Sequence, residues 1–174
     1  SGLKKITGKN YIERTVIKAI QHNIAIYAIH TNLDNMLNGV NEIIGRKLGL
    51  INTQILAPAS NSLRKLITYV PSIYLEKVRE SLFASGAGKI GDYDECSFTS
   101  EGEGTFRAGD NTNAFVGEKG KRHLETEQKL EIIYELDKQR AILSALSNNH
   151  PYEVPAYDIL ELQNSNLGVG AGLI

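Results

Sequence analysis

An alternation of apolar and charged residues late in the chain constrains its fold more than any other feature. The apolar positions are Leu130, Ile132, Tyr134 and Leu136, and the residues between them include Lys129, Glu131 and Glu135. Because successive side chains of a β-strand point to opposite faces, this pattern predicts a strand with one buried face. Such a strand needs a sheet with a covering layer, so the chain is not all-helical.

The patterns on either side of that strand predict five further elements. The predicted elements, taken along the chain, are a strand over 65–70, a helix over 71–86, a strand over 93–100, the half-buried strand over 130–136, a helix over 137–149 and a strand over 154–162. This is the order of a ferredoxin-like domain, in which both helices cover one face of an antiparallel sheet. The glycines at 102 and 104 predict a turn, and we expect a mobile polar loop over 102–120.

The first third of the chain predicts a different arrangement. Asn10, with Glu13 three residues later, predicts a capped helix. The unbroken apolar run Ile24–Ile29 predicts a strand buried on both faces, as in a parallel sheet between helices. A second amphipathic helix follows, with apolar positions over 37–48 and Gly49 as its C-cap. Helix, strand and helix are part of an α/β layer and do not close a domain by themselves.

These patterns together predict an α+β chain in three parts. An α/β fragment covers residues 1–63, and the ferredoxin-like domain, with its βαββαβ order, covers residues 64–162. Residues 163–174 are predicted to be a flexible linker that re-enters the first part. The spaced glycines of this linker do not indicate a dinucleotide-binding loop, because no strand-then-helix context surrounds them.

Composition excludes several classes of protein. The net charge is −1 and no basic block occurs, which argues against nucleic acid as the main partner. A single cysteine, Cys96, rules out an internal disulfide framework and fits a reducing compartment. No apolar run approaches the roughly 18 residues of a membrane span. We therefore expect a cytoplasmic protein that does not contact a membrane.

The apolar run over 24–29 ends in His30 and, four residues later, Asp34. In open α/β sheets, ligands bind beyond the carboxyl ends of the strands, so these two side chains could share one catalytic or metal-binding pocket. The alternative is that Asp34 caps the helix that follows it and His30 only hydrogen-bonds its neighbours. Spacing alone favours the cap, because one pair of ligands does not make a site.

Several short motifs occur in a specific order along almost the whole chain. They are Ile24–Asp34 followed by Gly39–Asn41, Gly86–Tyr93, Cys96–Phe98, Gly102–Phe106, His150–Glu153 and Gly168–Ile174. In this order they resemble the Ngg-one-interacting-factor-three-like family, whose bacterial members are named GTP cyclohydrolase I type 2 homologues. Many members carry an inserted domain like the PII and CutA proteins, and residues 64–162 resemble that insert.

The resemblance implies a site for two divalent metal ions, zinc, iron or manganese, in a homohexamer. It implies that Asp34 is a direct metal ligand and that His30 lies next to the site and orients a neighbouring group. The family's other ligands correspond to sequence before Ser1 and after Ile174. We therefore expect this chain to be an inactive internal fragment that holds part of the site, with Asp34 seen as a helix cap.

Two functions follow from the resemblance. The first is metal-assisted hydrolysis of a nucleotide or another phosphorylated small molecule, for which the substrate is suggested only by the family's naming. The alternative is a PII-like module that forms trimers and binds a small molecule or a partner through the 102–120 loop, without catalysis of its own. A domain that only covers or assembles the hexamer remains equally compatible with the sequence.

Overall fold

The structure is a computed structural model that describes residues 4–174. Its helices and strands, in chain order, are α1 (Tyr11–Gln21), α2 (Val40–Lys47), β1 (Ile55–Ala59), β2 (Leu63–Pro71), α3 (Leu75–Ala84), β3 (Ser97–Arg107), β4 (Arg122–Glu135), α4 (Gln139–Asn149), β5 (Tyr157–Leu162) and β6 (Asn166–Leu173). Short 3₁₀ turns lie at Leu33–Asn35, Ser72–Tyr74 and Leu136–Lys138. Across residues 4–174, every helix is too short or too polar to cross a bilayer.

Four of the strands form one antiparallel sheet in the order β3-β4-β2-β5. With α3 between β2 and β3, and α4 between β4 and β5, this order confirms the ferredoxin-like βαββαβ fold. The predicted buried face of β4 is confirmed for three of its four positions, whereas Leu136 lies beyond the end of the strand and is 43% exposed. Leu130, Ile132 and Tyr134 are at most 2% exposed and pack with Val78 of α3 and Ile142 of α4.

The predicted turn at Gly102 and Gly104 is wrong, because β3 runs straight through both glycines. They pair with Glu127 and Glu125 of β4. A Cβ atom on Gly104 would overlap the Glu127 carboxylate, so glycine serves here to let a side chain of the next strand lie against β3. The loop between β3 and β4 is consequently shorter than predicted, and covers residues 108–121.

The prediction of a flexible linker over 163–174 is also wrong, because most of this segment forms strand β6. This strand pairs antiparallel with β1, a strand that was not predicted since Pro58 interrupts its pattern. Proline is tolerated there because β1 has a partner on one side only. Gly170 lies opposite Pro58, where a Cβ atom would come within 2.7 Å of the proline Cα.

The capped helix at the start of the chain is confirmed as α1. The backbone N–H of Glu13 donates to Asn10 Oδ1 at 2.9 Å, and the Glu13 carboxylate accepts from Thr7 and Lys9 as well as from Asn10. These hydrogen bonds, above all those from Thr7, hold the pKa of Glu13 below its usual value. The capping box therefore also fixes the turn that precedes the helix.

The predicted buried strand over 24–29 is wrong for the described residues. The segment has no strand partner there and all of its residues are exposed, Tyr27 to 82%. An apolar run becomes a buried strand only where neighbouring strands accept its backbone hydrogen bonds and helices cover its faces. The apolar pattern therefore identifies a segment that would be stabilised by burial, but no element within residues 4–174 packs over it.

Candidate functional site

Asp34 lies in the middle of the 3₁₀ turn Leu33–Asn35 and does not cap α2, so the cap interpretation is wrong. The helix begins six residues later, after Gly39, and no side chain caps it. Gly39 donates its backbone N–H to Met36 O at 2.9 Å, and a Cβ atom on it would overlap the Leu33 carbonyl oxygen. The close approach of α2 to the turn therefore requires glycine at this position.

The Asp34 turn is held from two sides. Asn41, in the first turn of α2, donates from its side chain to the Asp34 carbonyl oxygen at 2.8 Å. From the other side, the backbone N–H of Leu37 donates to Gly168 O at 3.1 Å, and Met36 forms a bridge with Val169 of β6. The backbone of Asp34 is thus anchored. Its half-buried carboxylate makes no hydrogen bond or ion pair with any other residue of 4–174.

These residues do not hold a complete metal site. Within the part of the chain that the structure describes, no group of three or more His, Cys, Asp or Glu side chains is arranged to bind a metal ion. His30 is exposed in the segment before the turn. Since protein sites for zinc and similar ions use three or four protein ligands, Asp34 and His30 would at most contribute to a site completed by other groups.

A second candidate site is a cavity of about 580 Å³ on the ferredoxin-like domain. It is bounded by β3, by the middle of β4, by the 108–121 loop and by the segment 152–156. A hydrogen bond from the Asn113 backbone N–H to Glu153 Oε2, at 3.0 Å, ties the loop to that segment. This volume lies within the range of ordinary small-molecule sites.

Four aromatic residues line the cavity: Tyr69, Phe106, Phe115 and Tyr152. Phe115, on the loop, packs edge-to-face on Tyr74 at 5.5 Å between ring centroids, and lies 6.2 Å from the ring of Tyr152. Phe106 of β3 lies 6.2 Å from the other side of the same tyrosine. These contacts hold the loop over the cavity by packing, in addition to its hydrogen bond.

The cavity lining also includes two buried polar groups, the Glu127 carboxylate and the Tyr152 hydroxyl. Glu127 of β4 is only 9% exposed, and its carboxylate lies over Gly104. The hydroxyl of Tyr152 is buried beside the Glu127 carboxylate, and it makes no hydrogen bond of good geometry with any described residue. Burial, and then the neighbouring Glu127 carboxylate, raise the pKa of Tyr152 well above its usual range, so the phenol keeps its proton. A buried polar atom without a partner is unusual and marks a position where a ligand could supply one.

His150 is the C-cap residue that ends α4, and it is only 7% exposed. Nδ1 accepts a hydrogen bond from the Tyr152 backbone N–H at 3.1 Å, so the ring proton is on Nε2, which lies 3.0 Å from Tyr69 O. Burial lowers the pKa of His150, which favours this neutral form. The ring fixes the start of the segment that carries Tyr152.

Sequence reasoning did not find Glu127 or Tyr152 as site residues. The signal that could have found Glu127 is the Gly-x-Gly pattern over 102–104, which was interpreted as a turn. Its meaning depends on the register of β3 with β4, because only that register shows which side chain occupies the space above Gly104. Tyr152 carries no such signal, since its contacts come from β3 and from the 108–121 loop.

The ferredoxin-like sheet with its cavity, and the Asp34 turn anchored on β6, define a two-part α+β protein. The family model for Duf34/NIF3 (NGG1p interacting factor 3) matches residues 1–153, and the chain belongs to that family. This confirms the resemblance carried by the motifs.

Relatives and a solved structure agree with the family model. The chain is 42% identical over 162 residues to the GTP cyclohydrolase 1 type 2 homolog of Halalkalibacterium halodurans, covering 92% of this chain and 44% of that protein. It is 40% identical over 173 residues to the homolog of Bacillus subtilis, covering 99% and 46%. A crystal structure of a Bacillus cereus protein related to NIF3 matches with a TM-score of 0.75 and 37% identity, covering 99% and 46%. The chain thus spans about half the length of the curated relatives it matches.

Proposed function

We propose that this chain contributes Asp34 as a ligand to a dinuclear site for divalent metal ions in the whole protein. The observation that carries the proposal is the Asp34 turn, whose backbone is anchored by Asn41 and by β6 while its carboxylate has no partner within residues 4–174. A carboxylate fixed in this way is a suitable ligand for zinc, iron or manganese. The exposed His30 is proposed to lie beside the completed site.

The reaction class proposed for the whole protein is metal-assisted hydrolysis. Two bound divalent ions would lower the pKa of a bound water and stabilise developing negative charge. The name GTP cyclohydrolase 1 type 2 homolog, which the relatives bear, makes a nucleotide or another phosphorylated small molecule the substrate class to test. Because residues 4–174 hold only part of the ligand set, no catalytic step is assigned to a residue of this chain.

Elemental analysis tests the role of Asp34. We expect the full-length natural protein to hold about two metal ions per chain, as two-metal hydrolytic sites do. Asp34→Ala should remove at least one of them, and this chain alone should retain none. Asp137→Ala, which deletes an exposed carboxylate in the 3₁₀ turn before α4, is the matched control and should leave the metal content unchanged. Full metal content in the Asp34→Ala protein would refute the assignment.

A second candidate function, small-molecule binding by the ferredoxin-like domain, is favoured by its cavity. The cavity is walled by aromatic rings and contains a buried carboxylate and a buried hydroxyl without a partner. This combination of apolar walls with a few convergent polar groups is typical of ligand sites. It favours a binding or regulatory module over a domain that only covers the assembly.

Self-association through the ferredoxin-like domain, as a trimer within a homohexamer, remains a proposal. It is supported by the sheet face opposite the helices, where the register places Phe98 and Leu160, 66% and 47% exposed. Light scattering on the full-length protein tests it. We expect Phe98→Lys to lower the oligomeric mass, and the same change at the exposed Ile73, in the 3₁₀ turn before α3, to leave it unchanged. An unchanged mass for Phe98→Lys would contradict the proposal.

A further inference from the structure

We propose that the cavity of the ferredoxin-like domain binds a small organic cation, with an ammonium or guanidinium nitrogen paired to the carboxylate of Glu127 and an aromatic or apolar body between the aromatic walls. The inference rests on the second function proposed above and names the ligand class of that site.

The first argument is that Glu127 is a buried acid without a counter-ion. Lys129, two residues along the strand and on the same face, pairs with Glu131 at 2.5 Å, and Lys65 pairs with the same carboxylate at 2.9 Å. Among the residues described, no lysine, arginine or histidine forms an ion pair with Glu127, and the neighbouring donor is the uncharged Tyr152 hydroxyl. Burying a carboxylate without a partner is unfavourable, and a ligand cation would relieve that penalty.

The second argument is the geometry of β3 beside that acid. The absence of a side chain at Gly104 leaves the space that the Glu127 carboxylate fills, so the acid lies against the strand at the cavity wall. The neighbouring Tyr152 hydroxyl stays protonated, since burial and the Glu127 carboxylate both raise its pKa. It can accept one further N–H bond or donate to a polar atom of the ligand. Two polar groups converge from different elements on one position.

The third argument concerns what the cavity excludes. Glu101, Glu103 and Glu153 are among its lining residues in addition to Glu127. The lining bases are Lys129, which is paired with Glu131, and Arg107, which is exposed. Phosphate groups bind where several donors and cations converge, which is not the case here. Aromatic faces attract cations, so the walls and the acid favour the same ligand charge.

A matched set of three indole compounds tests the charge preference on this chain. Tryptamine is a cation, tryptophol is its neutral counterpart, and indole-3-acetate is an anion on the same ring. Isothermal titration should show saturable binding of tryptamine, roughly tenfold or more tighter than tryptophol, because a hydrogen bond to a charged group outweighs a neutral one. Indole-3-acetate should bind most weakly of the three.

Three variants locate the binding. Glu127→Gln should reduce tryptamine affinity about tenfold and abolish its advantage over tryptophol. Gly104→Ala should do the same, because its Cβ must displace the end of the Glu127 side chain while the strand keeps its backbone. Glu118→Gln, which removes an exposed carboxylate on the 108–121 loop outside the cavity lining, is the control and should bind tryptamine normally. Circular dichroism and thermal unfolding establish that each variant is folded.

The outcomes separate the two levels of the proposal. If tryptamine and tryptophol bind equally, and Glu127→Gln changes neither, the cavity binds small molecules but the cation inference is wrong. If none of the three compounds binds to the folded chain, the proposal of a small-molecule site also fails. A preference for indole-3-acetate would overturn the charge assignment directly.

Discussion

Gly170→Ala is the substitution for which the structure gives the most specific prediction. Gly170 lies in β6 opposite Pro58 of β1, and a Cβ atom there would overlap the Ala57 carbonyl oxygen and lie 2.7 Å from Pro58 Cα. These are backbone atoms, so no side-chain rotation can relieve the contact. Overpacking costs about 1–3 kcal/mol, and we expect the upper end of this range, about 3 kcal/mol, because the two strands must separate.

Amide hydrogen exchange measured by mass spectrometry tests this prediction element by element. A loss of about 3 kcal/mol in local opening free energy accelerates exchange roughly 100-fold, since about 1.4 kcal/mol corresponds to a factor of ten. We expect this acceleration in β1 and β6, and in the Asp34 turn, whose Leu37 N–H is bonded to Gly168 O. Strands β2 and β4 should keep their exchange rates, because they pair in a separate sheet.

Gly168→Ala, in the same strand, is the control. Its Cβ would meet only the side-chain oxygen of Asn166, at 3.3 Å, and a shift of a few tenths of an ångström in this hydrogen-bonded side chain relieves the contact without separating the strands. We expect a change of less than about 0.5 kcal/mol, typical of a tolerated surface substitution. Equal effects of the two variants, or unchanged exchange of β1 and β6 in Gly170→Ala, would refute the close-approach argument.

Three further predictions concern stability. Thr68→Val should lower the free energy of unfolding by about 1 kcal/mol in urea titrations, because the buried Thr68 hydroxyl donates to Ala156 O at 2.9 Å; an unchanged midpoint would contradict this. Because burial lowers the pKa of His150, the unfolded chain binds the proton more tightly, so stability should fall as the pH drops below about 6.5. His150→Gln should flatten that slope between pH 7 and 5.5, and an unchanged slope would contradict this assignment. Because the pKa of Glu13 is lowered in the folded protein, the Glu13 carboxylate stabilises the fold above about pH 4.3, and this stabilisation is lost as the pH falls through the folded-state pKa of Glu13. In thermal unfolding measured over this pH range, the Glu13→Gln variant should not show that loss of stability.

The ferredoxin-like part of the fold was predictable because its signals are local. Alternation in β4 and the apolar spacing of α3 and α4 each indicate a buried face, and the faces fit one another within the described residues. The first eight residues of β4 were missed, since 122–129 is mostly polar in composition and gains its strand structure from pairing with β3. Pairing partners are not visible in a single strand's pattern.

The errors arose where distant segments decide the structure. Gly102 and Gly104 have the composition of a turn, but both pair with β4, and the Glu127 carboxylate occupies the space that a side chain at Gly104 would take. Gly170 likewise serves the approach of β1, a contact more than a hundred residues away in sequence. The apolar run over 24–29 has a correct hydrophobic signal, but its predicted burial depends on cover that residues 4–174 do not provide.

The two candidate sites also differ in how far the sequence alone could predict them. Asp34 was identified from its position after an apolar run and from the family resemblance, although the predicted cap role is wrong. The cavity could not be predicted, because it needs the register of β3 with β4 together with the placement of the 108–121 loop over Tyr152. Sequence thus indicated Asp34, the residue proposed as a ligand of one site, and only the structure showed the other site.

Anomalous X-ray diffraction from metal-replete crystals of the full-length natural protein would test the central claim most directly. The account predicts metal peaks with the Asp34 carboxylate bonded to at least one ion at about 2.0–2.2 Å. Metal peaks beyond bonding distance of Asp34, or none in protein shown to be fully folded, would contradict the proposal that this chain supplies a metal ligand.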